Sequence, residues 1–275
     1  MSRVVLLDGP MGTELAARGV ATPLPTWSAG ALRGAPDEVL AIHRAYAEAG
    51  ATVHTTNTFR TRESDVGESW RELTRVAVRL ARGGAGTGRV AGSIAPLADC
   101  YRPDLSPGEG ASAAHRQMAE VLVDAGCDLV LCETFPLATE AVAAVQAARE
   151  SGAPEVWASL TAGPDADLFD PLGLARAAEQ VAAAGAAVVL VNCTPAPVTA
   201  DYLRELARVG VPFGAYANAG SADDAIGWQS DPGFGARRYA ELAAEWVDLG
   251  ATVVGGCCGT GPAHLAAVRD RLAHP

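Results

Sequence analysis

Short apolar runs rich in valine and leucine alternate along this chain with longer stretches of alanine, glutamate and arginine that carry helical periodicity. Eight such pairs can be counted. The pattern predicts strands at 4–8, 52–56, 89–94, 128–133, 155–160, 187–192, 212–216 and 251–255. Between them it predicts crossover-length helices, among them 36–49, 109–125, 137–151, 174–184, 199–209 and 235–249. Glycine closes several of these, at Gly50, Gly126, Gly152, Gly185, Gly210 and Gly250, as expected where a helix ends in a left-handed residue.

Eight strand–helix units in 275 residues predict an α/β protein, a single (β/α)8 TIM barrel spanning 1–275, with an open doubly wound sheet as the alternative topology. No linker, low-complexity segment or charge run divides the chain. Two long loops, 19–35 and 95–108, fall on the side where barrel enzymes build their sites.

In a barrel the C-terminal ends of the strands converge on one mouth, and polar residues cluster there in this sequence. They are Asp8, Thr55 to Asn57, Glu133-Thr134, Asn192-Cys193 and Asn218. The period of two places Glu133 in phase with Leu131 and Leu129, facing inward, and Cys132 and Val130 toward the helices. The same count sets Asp8 above Leu6 and Val4. A carboxylate ending the run Leu129-Val130-Leu131 is costly to bury without a partner, which marks Glu133 as functional or ion-paired. For Asp8 a turn or helix-cap role is the simpler alternative, and Asn57 and Asn218 are equally suited to holding loops.

The net charge of −11, with all 21 basic residues arginine, argues against a general nucleic-acid surface and for small-molecule partners. No run approaches a membrane span, and the start of the chain shows no cleavable leader pattern, so a cytoplasmic location is expected. The complete lack of lysine excludes Schiff-base chemistry through a lysine amine.

Six cysteines change the picture most. Cys257 and Cys258 are adjacent inside Gly255-Gly256-Cys257-Cys258-Gly259-Thr260-Gly261, too close to bridge each other comfortably, and the glycines let both sulfurs turn toward one centre. A soft divalent metal is the natural centre. Zinc takes four ligands, and Cys193, at the end of Val188-Val189-Leu190-Val191-Asn192, offers a third thiolate, leaving one position open as in catalytic sites. The competing reading is a glycine-rich phosphate cradle with incidental cysteines. Cys100, Cys127 and Cys132 lack such grouping and are expected to be packed or loop thiols. Two inward carboxylates, Asp8 and Glu133, beside a thiolate-bound metal suggest recognition of a cation such as an amino-acid ammonium.

Asp8-Gly9-Pro10-Met11-Gly12-Thr13-Glu14-Leu15, Asn57-Thr58-Phe59, Glu133-Thr134, Val191-Asn192-Cys193 and Gly255-Gly256-Cys257-Cys258-Gly259-Thr260 occur in this order over nearly the whole chain. In this the sequence resembles the zinc-dependent homocysteine S-methyltransferases, a family of (β/α)8 barrels using S-methylmethionine, betaine or methylfolate. The resemblance implies Zn2+ on Cys193, Cys257 and Cys258, homocysteine held by its ammonium at Asp8 and Glu133, and its carboxylate on the backbone after Asp8, at Gly9 and Met11. It also implies substrate contacts at Asn57, Thr134 and Trp27. Pro25-Thr26-Trp27-Ser28-Ala29 is similar to the S-methylmethionine branch, whereas Asn57-Thr58-Phe59 and Glu133-Thr134-Phe135 are more similar to the betaine and folate-linked branches; a small sulfonium donor is expected, with betaine as the alternative. The sequence lacks cobalamin- and folate-binding modules and the extension used for tetramer assembly in betaine enzymes, and a homodimer is the candidate assembly. A non-enzymatic barrel holding zinc or sensing thiols is the competing class; it would have no use for Asp8 and Glu133.

Overall fold

The computed structural model of the chain describes residues 4–220, 224, 226 and 232–274. Eight strands, β1 (Val5–Leu6), β2 (Val53–Thr55), β3 (Arg89–Ile94), β4 (Leu129–Phe135), β5 (Val156–Leu160), β6 (Val188–Pro195), β7 (Phe213–Asn218) and β8 (Val253–Gly256), form one parallel sheet. Its order is β1-β8-β7-β6-β5-β4-β3-β2. The two ends meet: Leu7 bridges Val53, Thr52 N–H donates to Leu6 O at 2.8 Å, and Asp8 N–H donates to Val53 O at 3.0 Å. The sheet is therefore a nearly closed TIM barrel with helices around it, and the doubly wound alternative is excluded.

The helices form where the sequence supplies apolar residues at three- and four-residue spacing. Pro36–Ala49 opens with Pro at its start and Asp37 and Glu38 in its first turn, buries Val39, Ile42, His43, Tyr46 and Ala49, and stops at Gly50. Trp70–Gly84 repeats the spacing with Trp70, Leu73, Thr74, Ala77, Val78, Ala81 and Gly84. All six glycines expected to close helices take positive φ, from 83° to 110°. No described helix is long and apolar enough to cross a membrane.

Apolar packing splits into two layers. Leu7, Val53, Ala91, Leu129, Leu131, Trp157, Val188, Leu190, Tyr216 and Val253 fill the barrel, while Val130, Cys132, Val189, Val191 and Val254 face the helices. β4 thus has the expected phase. β1 does not: Leu7 and Val5 pack inside and Leu6 and Val4 outside. The stretch Val4-Val5-Leu6-Leu7 is apolar throughout, so alternation carried no signal there. Asp8 keeps phase with Leu6 and emerges at the rim between β1 and β2. The loops at 19–35 and 95–108 contain short helical turns, at Trp27–Gly30, Ala31–Gly34 and Pro103–Leu105, and a further turn at Gly108–Ala111 leads into the helix Ser112–Asp124.

At Gly214 β7 passes close against β8. A Cβ there would lie 2.0 Å from Val253 O and 2.8 Å from its carbonyl carbon, and backbone cannot yield as a side chain can. Gly214→Ala is expected to lower stability by about 1–3 kcal/mol, the usual cost of overpacking. Chemical denaturation measures it, and an unchanged midpoint would contradict the packing described.

Candidate active site

The C-terminal mouth of the barrel holds a cavity of about 380 Å³ lined by Asp8, Gly9, Met11, Trp27, Asn57, Glu133, Thr134, Cys193, Cys257 and Cys258. Every residue singled out from sequence for metal or substrate therefore lines one space. Leu7, Thr55, Phe59, Arg60, Asp99, Cys100, Tyr101 and Tyr216 line it as well. Asn218 is buried at the end of β7 and stays outside the lining.

The sulfur cluster depends on a break in strand periodicity. Along β6, Val188 and Leu190 point inward, so Asn192 continues that phase and Cys193 would point outward. Instead the β6–β7 register shifts between Asn192 and Pro195, and Cys193 takes φ 50°. This bulge swings its thiol into the mouth. β4 does the same two strands away in the ring: its register with β5 shifts between Cys132 and Phe135, and Thr134 takes φ 64°. Asn192 ties the two irregularities, donating from Nδ2 to Thr134 Oγ1 at 2.8 Å and accepting from Ser159 Oγ at 2.7 Å.

Cys193 Sγ and Cys257 Sγ lie 3.0 Å apart, and the three sulfurs all fall within 4.8 Å of one another. Tetrahedral zinc with bonds of about 2.3 Å would set them roughly 3.8 Å apart, inside that range, so the donor set fits a soft divalent ion. Cys258 is held well below the ordinary thiol range by hydrogen bonding to Cys193 first and Cys257 second, while Cys193 is pushed up by its contact with Cys257 first and with Cys258 second. Tyr101, from the loop after β3, lines the cavity together with Cys193.

The carboxylates sit on separate supports. Glu133 accepts from Ser93 Oγ, a short contact, and from Tyr216 Oη at 3.1 Å. Burial pushes its pKa up and those two donors pull it back. Asp8, 4% exposed, accepts the Thr55 N–H at 2.9 Å; burial raises it well above the carboxylate range, the Thr55 hydrogen bonds oppose this, and Glu133 adds to it. Both carboxyls favour a cation arriving in the cavity.

Asn57 spends its amide on one residue of the first loop: Ser28 Oγ donates to Oδ1 at 2.7 Å, and Nδ2 donates to Ser28 O at 2.8 Å. It thereby fixes the neighbouring Trp27, which has φ 44°, lies over Gly12, and meets Phe59 edge-on with centroids 5.8 Å apart. Gly9 passes so close to Tyr46 that a Cβ would fall 2.6 Å from its hydroxyl.

Sequence reasoning passed over Tyr216, Ser93, Tyr101 and Cys100. Tyr216 and Ser93 are on inner-phase positions of β7 and β3, and a polar side chain in that phase was the available signal. Cys100 and Tyr101 lie in a loop, where no periodicity points anywhere. Cys100 is buried as expected of a packed thiol, and it also lines the cavity.

Limited iodoacetamide treatment of metal-free protein at neutral pH is expected to label Cys258 first, and to go on doing so as pH falls below the ordinary thiol range. Burial pushes Cys127 up to about 12 and Cys132 higher still, so both stay protonated and unlabelled in the folded chain. Peptide mapping by mass spectrometry gives the order; Cys127 or Cys132 labelled ahead of Cys258 would refute it.

A family model described as homocysteine S-methyltransferase matches residues 5–272. The homocysteine S-methyltransferase of Escherichia coli strain K12 is 33% identical, over 98% of this chain and 95% of its own length. The S-methylmethionine–homocysteine S-methyltransferase of Pongo abelii is 29% identical, over 98% and 78%. The crystal structure of the E. coli homocysteine methyltransferase MmuM in its metallated form matches with a TM-score of 0.80 at 28% identity, over 98% of this chain and 96% of that one. A third of positions shared along nearly the full length, in a chain that gathers three cysteines at the mouth of the same barrel, places it in the homocysteine S-methyltransferase family.

Proposed function

We propose that this chain transfers a methyl group from a small sulfonium donor, S-methylmethionine with S-adenosylmethionine as a poorer substitute, to homocysteine, yielding methionine. As a member of its family it is a methyltransferase acting on homocysteine; the donor, the metal and the residue roles are the proposal. The observation that carries it is one cavity holding three converging thiols together with two buried carboxylates on independent supports.

Homocysteine carries a thiol and an ammonium at opposite ends of a short chain, and the cavity offers a partner for each. Glu133 and Asp8 take the ammonium, which restores to the buried carboxyls the charge compensation that desolvation removes. The backbone at Gly9 and Met11 lines the same cavity and suits the substrate carboxylate. Zinc on Cys193, Cys257 and Cys258 would supply the Lewis acidity that brings a thiol to its thiolate near neutral pH. No histidine lines the cavity, and with that chemistry none is needed as a base. The substrate sulfur then gives an electron pair to the donor methyl carbon. The carbon–sulfur bond of the sulfonium breaks onto the donor sulfur, which leaves as a neutral thioether.

The donor choice rests on the aromatic wall made by Trp27 and Phe59, since a ring face attracts an alkylated cation by about 0.5–2 kcal/mol. The likeness to an S-methylmethionine-linked enzyme supports the same choice. Three thiols kept free as ligands suit a reducing compartment, the cytoplasm.

The test is to assay methionine formation from homocysteine with S-methylmethionine, S-adenosylmethionine, betaine and methyltetrahydrofolate, beside metal analysis. One zinc per chain is expected, lost with activity when the three cysteines become serine. S-Methylmethionine is expected to give the highest kcat/KM and Trp27→Ala to lower it; betaine turning over fastest would move the chain to the betaine branch.

Glu133→Gln and Asp8→Asn are each expected to weaken homocysteine binding by about 2–5 kcal/mol without loss of zinc. Tyr216→Phe removes a donor that holds Glu133 down, so its pKa rises and the acid limb of kcat/KM shifts to higher pH. A pH–rate profile checks the sign. An acid limb that stays in place or moves to lower pH would detach Tyr216 from Glu133.

A further inference from the structure

Behind Asp8 lies a group of side chains that methyl transfer does not use. His43, on the inner side of Pro36–Ala49, and His54, on the helix-facing side of β2, are both 0% exposed, with ring centroids 6.2 Å apart. Asp8 Oδ2 is 4.0 Å from His43 Nδ1, and one ligand atom each from Asp8, His43 and His54 all lie within 4.8 Å of one another. Neither nitrogen of either ring meets hydrogen-bond geometry with a protein group, although the Ala51 carbonyl is close enough to His54 to offset burial in part.

Four polar atoms left unpaired at full burial are a cost that a leucine or methionine of similar volume would avoid. Burial pushes His43 down to about 3 and His54 down to about 4, so both are neutral at physiological pH, with a lone pair on each ring. That is the form in which imidazole binds metals. Two neutral imidazoles and a carboxylate make a familiar donor set for borderline divalent ions. The Thr55 N–H that holds Asp8, and the Ala51 carbonyl beside His54, are the kind of outer contacts that orient such ligands.

We propose that Asp8, His43 and His54 form a second site for a divalent transition-metal ion such as zinc or cobalt(II), backing onto the substrate cavity and sharing Asp8 with it. Ligand bonds of about 2.0–2.1 Å set tetrahedral donors roughly 3.3 Å apart, so the three atoms need to close by about an ångström, within reach of side-chain rotation. Asp8 lines the cavity and gives the ion its way in. An ion here draws the Asp8 carboxylate off the substrate ammonium, so occupancy opposes homocysteine. This kinetic consequence, unlike the site itself, rests on the proposed role of Asp8.

The test titrates cobalt(II) chloride into metal-free wild type and into a variant with Cys193, Cys257 and Cys258 changed to serine, following absorption and calorimetry. In wild type two equivalents are expected. The first carries a thiolate charge-transfer band, and the second carries only weak visible bands. The serine variant keeps the second kind alone. Adding His54→Leu or His43→Leu to either protein should weaken that second equivalent at least tenfold and leave the thiolate band untouched. Saturation of wild type at one thiolate-banded equivalent would overturn the second site, whether or not the serine variant folds. Absence of the thiolate band would instead strike the cysteine reading, so the two failures are distinct. In kinetics, excess cobalt(II) should raise the KM for homocysteine in wild type and not in His54→Leu.

Discussion

The site depends on two side-chain-bearing residues held in left-handed backbone, Thr134 and Cys193, and on the one amide that links them. Such a conformation costs about 1–3 kcal/mol at a residue other than glycine and persists only where its surroundings enforce it. Asn192 is the enforcement. Its amide spans from Thr134 on β4 to Ser159 on β5 while its own backbone leads into Cys193 on β6. Three neighbouring strands therefore share one polar clasp at their ends, and the strain is confined to the rim. Without the bulge, Cys193 would follow Val189 and Val191 into the helix layer, leaving the cysteine pair after β8 with no third thiol.

Around that clasp the mouth is divided by chemistry. The thiol side is built by β6 and β8, with β7 between them contributing the closely packed Gly214 and the Tyr216 ring. The carboxylate side is built by two unconnected networks, Glu133 with Ser93 and Tyr216, and Asp8 with Thr55. Tyr216 belongs to both sides, since its hydroxyl donates to Glu133 while its ring packs in the barrel beside Cys257.

Much of this was legible in the sequence because the signals are local. Strand runs, glycine stops and the Cys257-Cys258 pair each sit within a few residues, and Glu133 carried its own phase through Leu129 and Leu131. What was not legible depends on contacts far apart in the chain or on broken periodicity. The four apolar residues opening β1 gave no phase, so Leu6 and Leu7 were exchanged. Cys193 was found by its residue type, although strict alternation would have turned it away from the site. Asn57 lines the cavity as expected, while its pairing with Ser28, across 29 residues, is one that no pattern announces. Cys100 and Tyr101 reach the cavity from an irregular loop, where position alone carries no direction.

The seam where β1 meets β2 is the narrowest part of the barrel wall. β1 has two residues and β2 three, and the ends are joined by the Leu7–Val53 bridge and a few hydrogen bonds. One of these is the Asp8 carboxylate on the Thr55 amide, at 2.9 Å, so a group facing the cavity is also a stitch in the wall. With so few bonds, local opening of the barrel is expected first at this seam, and the Thr55 amide is the place to read it by hydrogen exchange. Because Asp8 both faces the cavity and closes this bond, a ligand that draws on Asp8 acts on the wall as well as on the mouth.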